Sequence, residues 1–215
     1  MDFLQESIAL FHKGGPVMYA LLLSSFFVVA VGIERFYYYR QASIPFSTFK
    51  EKLEPLLQRK MISEAQTFCQ NGSNVVAVVA GAGIEAFQQG RNAEKAMESA
   101  ATFMAAKLRE RLNYVSTVVT LAPLMGLLGT VVGMINSFSV FNVAQGEPGA
   151  ITGGVGEALV ATASGLCIAI LALMIYTYFS QRLDSLVTDI EQTVALVMSR
   201  LPHGRTERGE FHEIA

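Results

Sequence analysis

Three long stretches of the chain contain no charged side chain. They cover residues 14–33, 112–146 and 158–181. A helix needs roughly 20 apolar residues, each rising about 1.5 Å, to cross the hydrocarbon core of a bilayer. The pattern therefore predicts an all-α integral membrane protein with three transmembrane helices, over residues 14–39, 112–145 and 156–181.

The segments between and around these spans carry the charges. Apolar residues at helical spacing in 1–13 predict a short interfacial helix, which ends at Gly14-Gly15-Pro16. Residues 40–111 are predicted to form a cytoplasmic helical segment, with a break at residues 71–74 and looser structure at Gly81, Gly83 and Gly90. Residues 146–155 are predicted as a periplasmic loop, and 182–215 as a cytoplasmic helix and tail.

Two of the spanning helices are expected to extend far into the cytoplasm. From Asn92, a candidate helix cap, no helix breaker occurs before Pro123. If the helix that begins there runs on through the second span to about Val143, it is roughly 50 residues long, and about half of it must project into the cytoplasm. After Gln181, apolar residues continue at a spacing of three and four until Pro202. The third span is therefore also expected to continue beyond the membrane.

The orientation follows from the positions of lysine and arginine. One such residue precedes the first span, eleven lie between Arg35 and Arg111, and four follow from Arg182 onward. The positive-inside rule places the long segment and the C-terminus in the cytoplasm and the N-terminus in the periplasm. Tyr37, Tyr38 and Tyr39 after the first span are expected at the cytoplasmic interface.

Composition supports a membrane protein and excludes other classes. The chain is 52% hydrophobic with a net charge of −2 and a mean hydropathy of +0.39, and it has no basic stripe for a nucleic acid. Cys69 and Cys167 are expected to be reduced because they lie in a polar segment and an apolar run.

No catalytic or cofactor site is visible in the sequence. The three histidines lack partners at metal-ligand spacing, and no nucleophile stands with a base. The glycines of the second span lack the following Gly-Lys-Ser/Thr of a phosphate loop. We therefore expect neither a cofactor nor enzymatic activity.

Small and hydroxylated residues form one face of the second span. They are Ala122, Gly126, Thr130, Gly133 and Ser137, with Gly129 beside them. Spacings of four, four, three and four place them on one side of a helix, where small residues let helix backbones approach closely. The face can be a packing seam or the lining of a pore, and both interpretations stay open.

The third span also has a face of small and hydroxylated residues. Ala158, Thr162, Gly165, Ala169 and Ala172 share one face, and Glu157, Ala161 and Ser164 form a neighbouring stripe. Glu157 is either a solvated acid at the outer interface, or part of a water-lined entrance or a contact to another chain. The interiors of the spans contain no Asp, Lys, Arg or His. Because threonine hydroxyls can orient water but cannot store a proton near neutral pH, this chain alone could not carry protons.

Two stretches resemble a known family. They are Leu-Ala-Pro-Leu-Met-Gly-Leu-Leu-Gly-Thr-Val-Val-Gly-Met-Ile at 121–135 and Gly-Glu-Ala-Leu-Val-Ala-Thr-Ala-Ser-Gly at 156–165. They are similar to the signatures of the MotA/TolQ/ExbB proton-channel family, and Glu34-Arg35 also fits its pattern. The ExbB/TolQ branch fits best because stators of the MotA type carry four spans and this chain offers three.

The resemblance implies a motor subunit of the bacterial inner membrane. Five copies would form a ring around a dimer of a one-span ExbD/TolR-like partner, which supplies the titrating Asp, and a TonB/TolA-like protein could follow. Proton flow would drive rotation and energise work at the outer membrane. At matching positions, Thr130 and Thr162 would face that Asp, and Glu157 would lie near the outer end of the pore.

The predicted site residues form two groups. The proton path or pore lining is predicted to contain Thr130, Thr162, Glu157, Ser164 and Ser137. Helix packing is predicted to use Gly126, Gly129, Gly133, Ala158, Gly165 and Ala169. A structural alternative is a passive membrane scaffold that clusters partner helices without conducting protons, and a membrane enzyme is a third possibility without a visible site.

Overall fold

The computed structural model of the chain describes residues 15–143 and 148–201, apart from the side chains of residues 140–151. Within these ranges the chain forms seven helices joined by short segments. They are α1 (Val17–Ala42), α2 (Phe46–Gln58), α3 (Ile62–Gln70), α4 (Val75–Gln88), α5 (Ala93–Arg109), α6 (Leu112–Val143) and α7 (Pro148–Arg200). The predicted interfacial helix over residues 1–13 and the tail after Leu201 lie outside the described residues.

Three helical stretches of the described chain are long and apolar enough to cross a membrane. They contain α1 and most of α6 and α7, as the charge-free stretches predict. Large apolar side chains project from them into the surroundings, including Phe26 and Leu23 of α1, which are 76% and 74% exposed. Such exposure is unfavourable in water but favourable against lipid or a neighbouring membrane helix. The all-helical membrane fold is thus confirmed.

The chain divides into two compact units. The first comprises the described residues up to Tyr37 together with Glu110–Gln181, and therefore holds most of α1, all of α6 and the first part of α7. Two apolar clusters hold it together. One contains Met18, Leu21, Ala122 and Ala169, and the other contains Val28, Val31, Val115 and Ala172. In both clusters the small side chains of α7 let α1 and α6 pack closely.

The second unit comprises Tyr38–Arg109 and the residues from Arg182 onward. Its buried core includes Leu53 and Leu57 of α2, and Phe49 stacks on Phe68 with ring centroids 5.6 Å apart. The long helix α7 continues to Arg200, whose guanidinium lies 2.6 Å from a carboxylate oxygen of Glu54.

Helix α4 differs from the sequence prediction. The break at residues 71–74 is confirmed, because α3 ends at Gln70 and the side chain of Asn74 caps α4 by accepting from the amide of Ala77. The looseness expected at Gly81 and Gly83 is wrong, since both glycines lie inside the buried helix α4. A methyl group on Gly83 would collide with Met97 of α5. These glycines therefore serve close packing, which outweighs their low helix propensity.

The expected single helix from Asn92 to Val143 is also wrong. Asn92 does cap α5, accepting from the amide of Lys95 at 3.0 Å. However, α5 ends at Arg109 and α6 begins at Leu112, with Arg111 in the left-handed region at φ 66°. Neither glycine nor proline marks this break. Residues of α1 contact the chain on both sides of this break, at Leu108 and at Arg111.

Most of the segment predicted as a periplasmic loop is helical. Helix α7 begins at Pro148, so residues 148–155 are helical rather than loop. Proline suits the first position of a helix because its fixed φ is helical and its missing amide is not needed there. Gly153, Gly154 and Gly156 disfavour a helix by propensity, which explains the incorrect prediction.

Candidate functional site

Helices α6 and α7 meet along a line of small residues that we call the helix seam. It consists of Ala122, Gly126, Gly129, Gly133 and Ser137 on α6, and Gly154, Ala158, Ala161, Thr162 and Gly165 on α7. The helices run antiparallel, because Ala122 lies opposite Gly165 while Gly133 lies opposite Ala158.

At the centre of the seam the two backbones are in contact. A methyl group on Gly126 would lie 3.1 Å from both the carbonyl oxygen of Ala161 and the α-carbon of Thr162. One on Gly165 would lie 2.6 Å from the carbonyl oxygen of Ala122. Because these neighbours are backbone atoms, they cannot rotate away, so glycine is required for this approach.

The seam continues to the start of α7. A methyl group on Gly133 would lie 3.2 Å from the carbonyl oxygen of Gly154 and 3.3 Å from the β-carbon of Ala158. A methyl group on Gly154 would overlap the hydroxyl of Ser137. Ser137 is 4% exposed and donates to the carbonyl of Gly133 at 2.8 Å. Within the chain, Ser137 therefore lies in the packing seam.

The two predicted threonines both donate hydrogen bonds to backbone carbonyls of α6. The hydroxyl of Thr162 crosses from α7 to donate to the carbonyl of Gly126 at 3.2 Å. The hydroxyl of Thr130 donates within α6 to the carbonyl of Leu127 at 2.6 Å. The two acceptors are consecutive residues of α6. Both hydroxyl protons are thus engaged, and each threonine oxygen keeps capacity to accept a hydrogen bond from another group.

Glu157 lies about 1.4 helical turns before Thr162 on α7 and is half-buried. Its carboxylate reaches the start of α1, where a methyl group on Gly15 would overlap Oε1 and lie 3.2 Å from Cδ. The acid is therefore held against another element of the same unit. This contact was not foreseen, because Gly15 stands far from Glu157 in the sequence.

Ser164 is not brought to the threonine pair. It is half-buried on α7, two residues after Thr162. At about 100° per residue, it points to a different side of the helix from Thr162. The remaining packing residue, Ala169, is buried with Met18 and Leu21 of α1.

An ionic cluster lies at the opposite end of α1 from Gly15. Glu34 forms an ion pair with Arg111, and its other oxygen lies 3.7 Å from the guanidinium of Arg35, which is 4% exposed. The pair ties α1 to the first residue before α6. The sequence shows these charges but not their pairing, since Glu34 and Arg111 are far apart along the chain.

Of the tyrosines predicted at the cytoplasmic interface, Tyr39 is buried by contacts within the chain. It is 2% exposed, and its hydroxyl donates to the carbonyl of Leu108 at 2.9 Å in the second unit. This bond satisfies a carbonyl in the last turn of α5, where intrahelical partners end. Tyr37 does remain 69% exposed.

The remaining chemistry-bearing groups do not form a metal or nucleophile site. Among the described residues, no three His, Cys, Asp or Glu side chains are grouped as metal ligands. Burial raises the pKa of the Cys69 thiol to about 12, so this cysteine is protonated and unreactive. Both cysteines are free thiols, as predicted.

Residues 64–192 match the profile of the MotA/TolQ/ExbB proton channel family. The chain belongs to this family. The matched range contains α4 to α6 and the part of α7 that carries Glu157 and Thr162, so it includes the helix seam.

Named relatives place the chain in the ExbB/TolQ branch. The Synechocystis protein named ExbB-like 1 is 31% identical over 189 residues, covering 81% of this chain and 72% of the relative. The Tol-Pal system protein TolQ of Pseudomonas aeruginosa is 39% identical over 94 residues, or 43% of this chain and 41% of TolQ. The biopolymer transport protein ExbB of Salmonella typhimurium is 38% identical over 94 residues, or 41% of this chain and 38% of ExbB. This ExbB/TolQ-type chain is thus a multi-pass membrane protein.

Proposed function

We propose that this chain is the pore-forming subunit of a proton-driven, energy-transducing complex in the bacterial inner membrane. In this proposal it couples proton flow to work at the outer membrane; its membership of a proton channel family and its likeness to proteins named for biopolymer transport and the Tol-Pal system support this role. The N-terminus lies in the periplasm and the C-terminus in the cytoplasm, which the distribution of lysine and arginine supports.

The observation that carries the proposal is that the hydroxyls of Thr130 and Thr162 both donate to backbone carbonyls of α6. Thr162 and Thr130 donate to the adjacent carbonyls of Gly126 and Leu127, so their oxygens remain available as acceptors. Both threonines are partly exposed. A protonated carboxylic acid is a donor that such oxygens can accept from, whereas an ionised one is not. The pair would therefore interact differently with the two protonation states of an approaching acid.

We infer that this acid comes from another polypeptide. No Asp, Glu, Lys, Arg or His occurs in residues 158–181 of α7 or anywhere in α6. We propose that a dimer of a one-span ExbD/TolR-like partner supplies the titrating Asp, inside a ring of five copies of this chain. A TonB/TolA-like protein would then transmit the motion. Glu157 assists proton entry at the outer end of the path.

The energy available suits repeated rearrangement of a helix interface. A unit charge that crosses the membrane releases about 2.3 kcal/mol per 100 mV. A few protons would therefore supply enough energy to shift the partner from one subunit to the next. We propose that rotation of one component within the other is the resulting motion.

The test replaces Thr162 by Val in the complex reconstituted with its one-span partner. Valine keeps the volume but removes the hydroxyl, so we expect normal assembly and loss of proton flux into proteoliposomes. Thr162→Ser should retain most of the flux because the hydroxyl is preserved. Thr117→Val is the matched control, since Thr117 is an exposed residue of α6 whose hydroxyl donates within its own helix to Asn113 at 2.9 Å. Wild-type flux in Thr162→Val would overturn the proposed role.

A further inference from the structure

Gly15, two residues before the start of α1, has an unusual backbone conformation. Gly15 has φ +69°, in the left-handed region that residues with a side chain rarely adopt, and α1 begins two residues later at Val17. The first turn is closed by the amides of Met18 and Tyr19, which donate to the carbonyls of Gly15 and Pro16 at 3.2 and 3.3 Å. The chain therefore bends at Gly15 and enters the helix directly.

The α-carbon of Gly15 faces the carboxylate of Glu157. A methyl group on Gly15 would overlap Oε1 and lie 3.2 Å from Cδ and 3.8 Å from Cγ. The end of the Glu157 side chain therefore occupies the space that a β-carbon at position 15 would need. Glycine is required at position 15 for two reasons. Residues with a side chain rarely adopt its positive φ, and a β-carbon would collide with the carboxylate of Glu157.

The position of Gly15 is fixed by the packing of the first turn of α1. The β-carbon of Val17 lies 3.7 Å from the point where Gly129 would carry a methyl group, and that point is 2.5 Å from the β-carbon of Ala161. Ala161 follows Glu157 by about one helical turn. Met18 and Leu21 are buried against Ala122 and Ala169 on the same side. The start of α1 is therefore anchored on α6 and α7 just where Glu157 projects.

The electrostatics of this contact also favour the carboxylate. The first amides of a helix lack intrahelical acceptors and carry the positive end of the helix dipole. A negative charge at that end is therefore stabilised. The space beside Gly15 and the dipole of α1 therefore both favour a Glu157 carboxylate placed at the start of α1.

We propose that Gly15 is a positioning residue for Glu157, which holds the carboxylate at the outer end of the proton path. This inference rests on the proposed function for the role of Glu157, but the contact itself does not. The family profile matches residues 64–192, so Gly15 lies outside the matched range. The position of the Glu157 carboxylate would then depend on the start of α1 as well as on α6 and α7.

A cross-linking experiment tests the contact independently of proton transport. In a chain with Cys69→Ala and Cys167→Ala, Gly15→Cys is combined with Glu157→Cys, and native membranes are oxidised. We expect an intrachain disulfide, seen as a faster-migrating band that reductant removes. The control pairs Gly15→Cys with Gly153→Cys, because a side chain on Gly153 would have no neighbour within 4 Å. A yield no higher than in this control would overturn the contact.

A set of flux measurements tests the role. Gly15→Ala should lower proton flux by about tenfold or more, because displacing a working group by about 1 Å is costly. Glu157→Asp shortens the side chain and makes room for the methyl group, so the double variant should conduct no worse than Glu157→Asp alone. Gly90→Ala controls for backbone strain, since Gly90 has φ +68° and no neighbour within 4 Å.

The outcomes separate the two proposals. Unchanged flux in Gly15→Ala, or fully additive losses in the double variant, would refute the positioning role. Absence of flux in the unmodified complex would refute the proposed function, and the cross-linking yield would still decide whether Gly15 contacts Glu157.

Discussion

A single methyl group at the centre of the helix seam should separate α6 from α7. In Gly165→Ala the new β-carbon would lie 2.6 Å from the carbonyl oxygen of Ala122 and 3.0 Å from the α-carbon of Gly126. Reaching ordinary contact at 3.4 Å requires the helices to move apart by about 0.8 Å. The hydrogen bond from Thr162 to Gly126, 3.2 Å long, would then exceed the range in which such bonds hold.

The magnitude follows from these two effects. Overpacking of a tight interface costs about 1–3 kcal/mol, and losing the hydrogen bond costs about 0.5–1.5 kcal/mol. The gain in helix propensity on replacing glycine by alanine, about 1 kcal/mol, is shared by the control Gly156→Ala, whose methyl group would meet no neighbour within 4 Å. Gly165→Ala should therefore be less stable than Gly156→Ala by about 2–4 kcal/mol.

The assay is equilibrium unfolding in mixed micelles of rising dodecyl sulfate content, followed by circular dichroism. We expect a lower free energy of unfolding for Gly165→Ala than for both the wild type and Gly156→Ala. Equal stability of the two variants would refute the close backbone contact at the seam.

Three further predictions concern the second unit. Tyr39→Phe removes a buried hydrogen bond at the end of α5 and should cost about 1–3 kcal/mol, whereas Tyr37→Phe, at an exposed position, should leave the thermal midpoint unchanged. Glu54→Gln removes a partly exposed ion pair with Arg200, so its effect should stay below about 1 kcal/mol and vanish in 1 M salt, a concentration at which the screening length is about 3 Å. Burial raises the pKa of Cys69 from the ordinary 9.0 to about 12. The neutral thiol therefore favours the fold below pH 9, stability should fall as the pH rises from 9 towards 12, and alkaline unfolding curves of Cys69→Ala should lack this loss.

The parts of the fold that follow from local pattern could be predicted from the sequence. Freedom from charge over the required length identifies α1, α6 and α7, and the helical period places Gly126, Gly133 and Thr162 on faces that meet at the seam. These features depend only on residues close together in the chain.

The parts that were missed depend on contacts between distant residues. The break between α5 and α6 has no glycine or proline, and it coincides with the ion pair from Glu34 to Arg111 and the hydrogen bond from Tyr39 to Leu108. Helix α4 contains glycines that look like breakers but fit against Met97 of a neighbouring helix. Tertiary packing overrides propensity at each of these places.

The contact between Gly15 and Glu157 is missed for the same reason. The sequence alone does not show why a glycine precedes the first span. The structure does, because the carboxylate of Glu157 approaches the α-carbon of Gly15. The positions of Thr130 and Thr162 on their helices were predictable, whereas their donation to consecutive carbonyls of α6 was not.

Proton flux into proteoliposomes, measured with a pH-sensitive dye under an imposed potential, tests the central claim most directly. The purified chain is compared alone, with a one-span partner that carries an Asp in its span, and with the same partner after Asp→Asn substitution. Flux only with the unmodified partner is the predicted result, because the threonine pair needs a titrating acid from another chain. Equal flux in the absence of the partner, or none in its presence, would contradict the account, and the latter result would favour a passive scaffold.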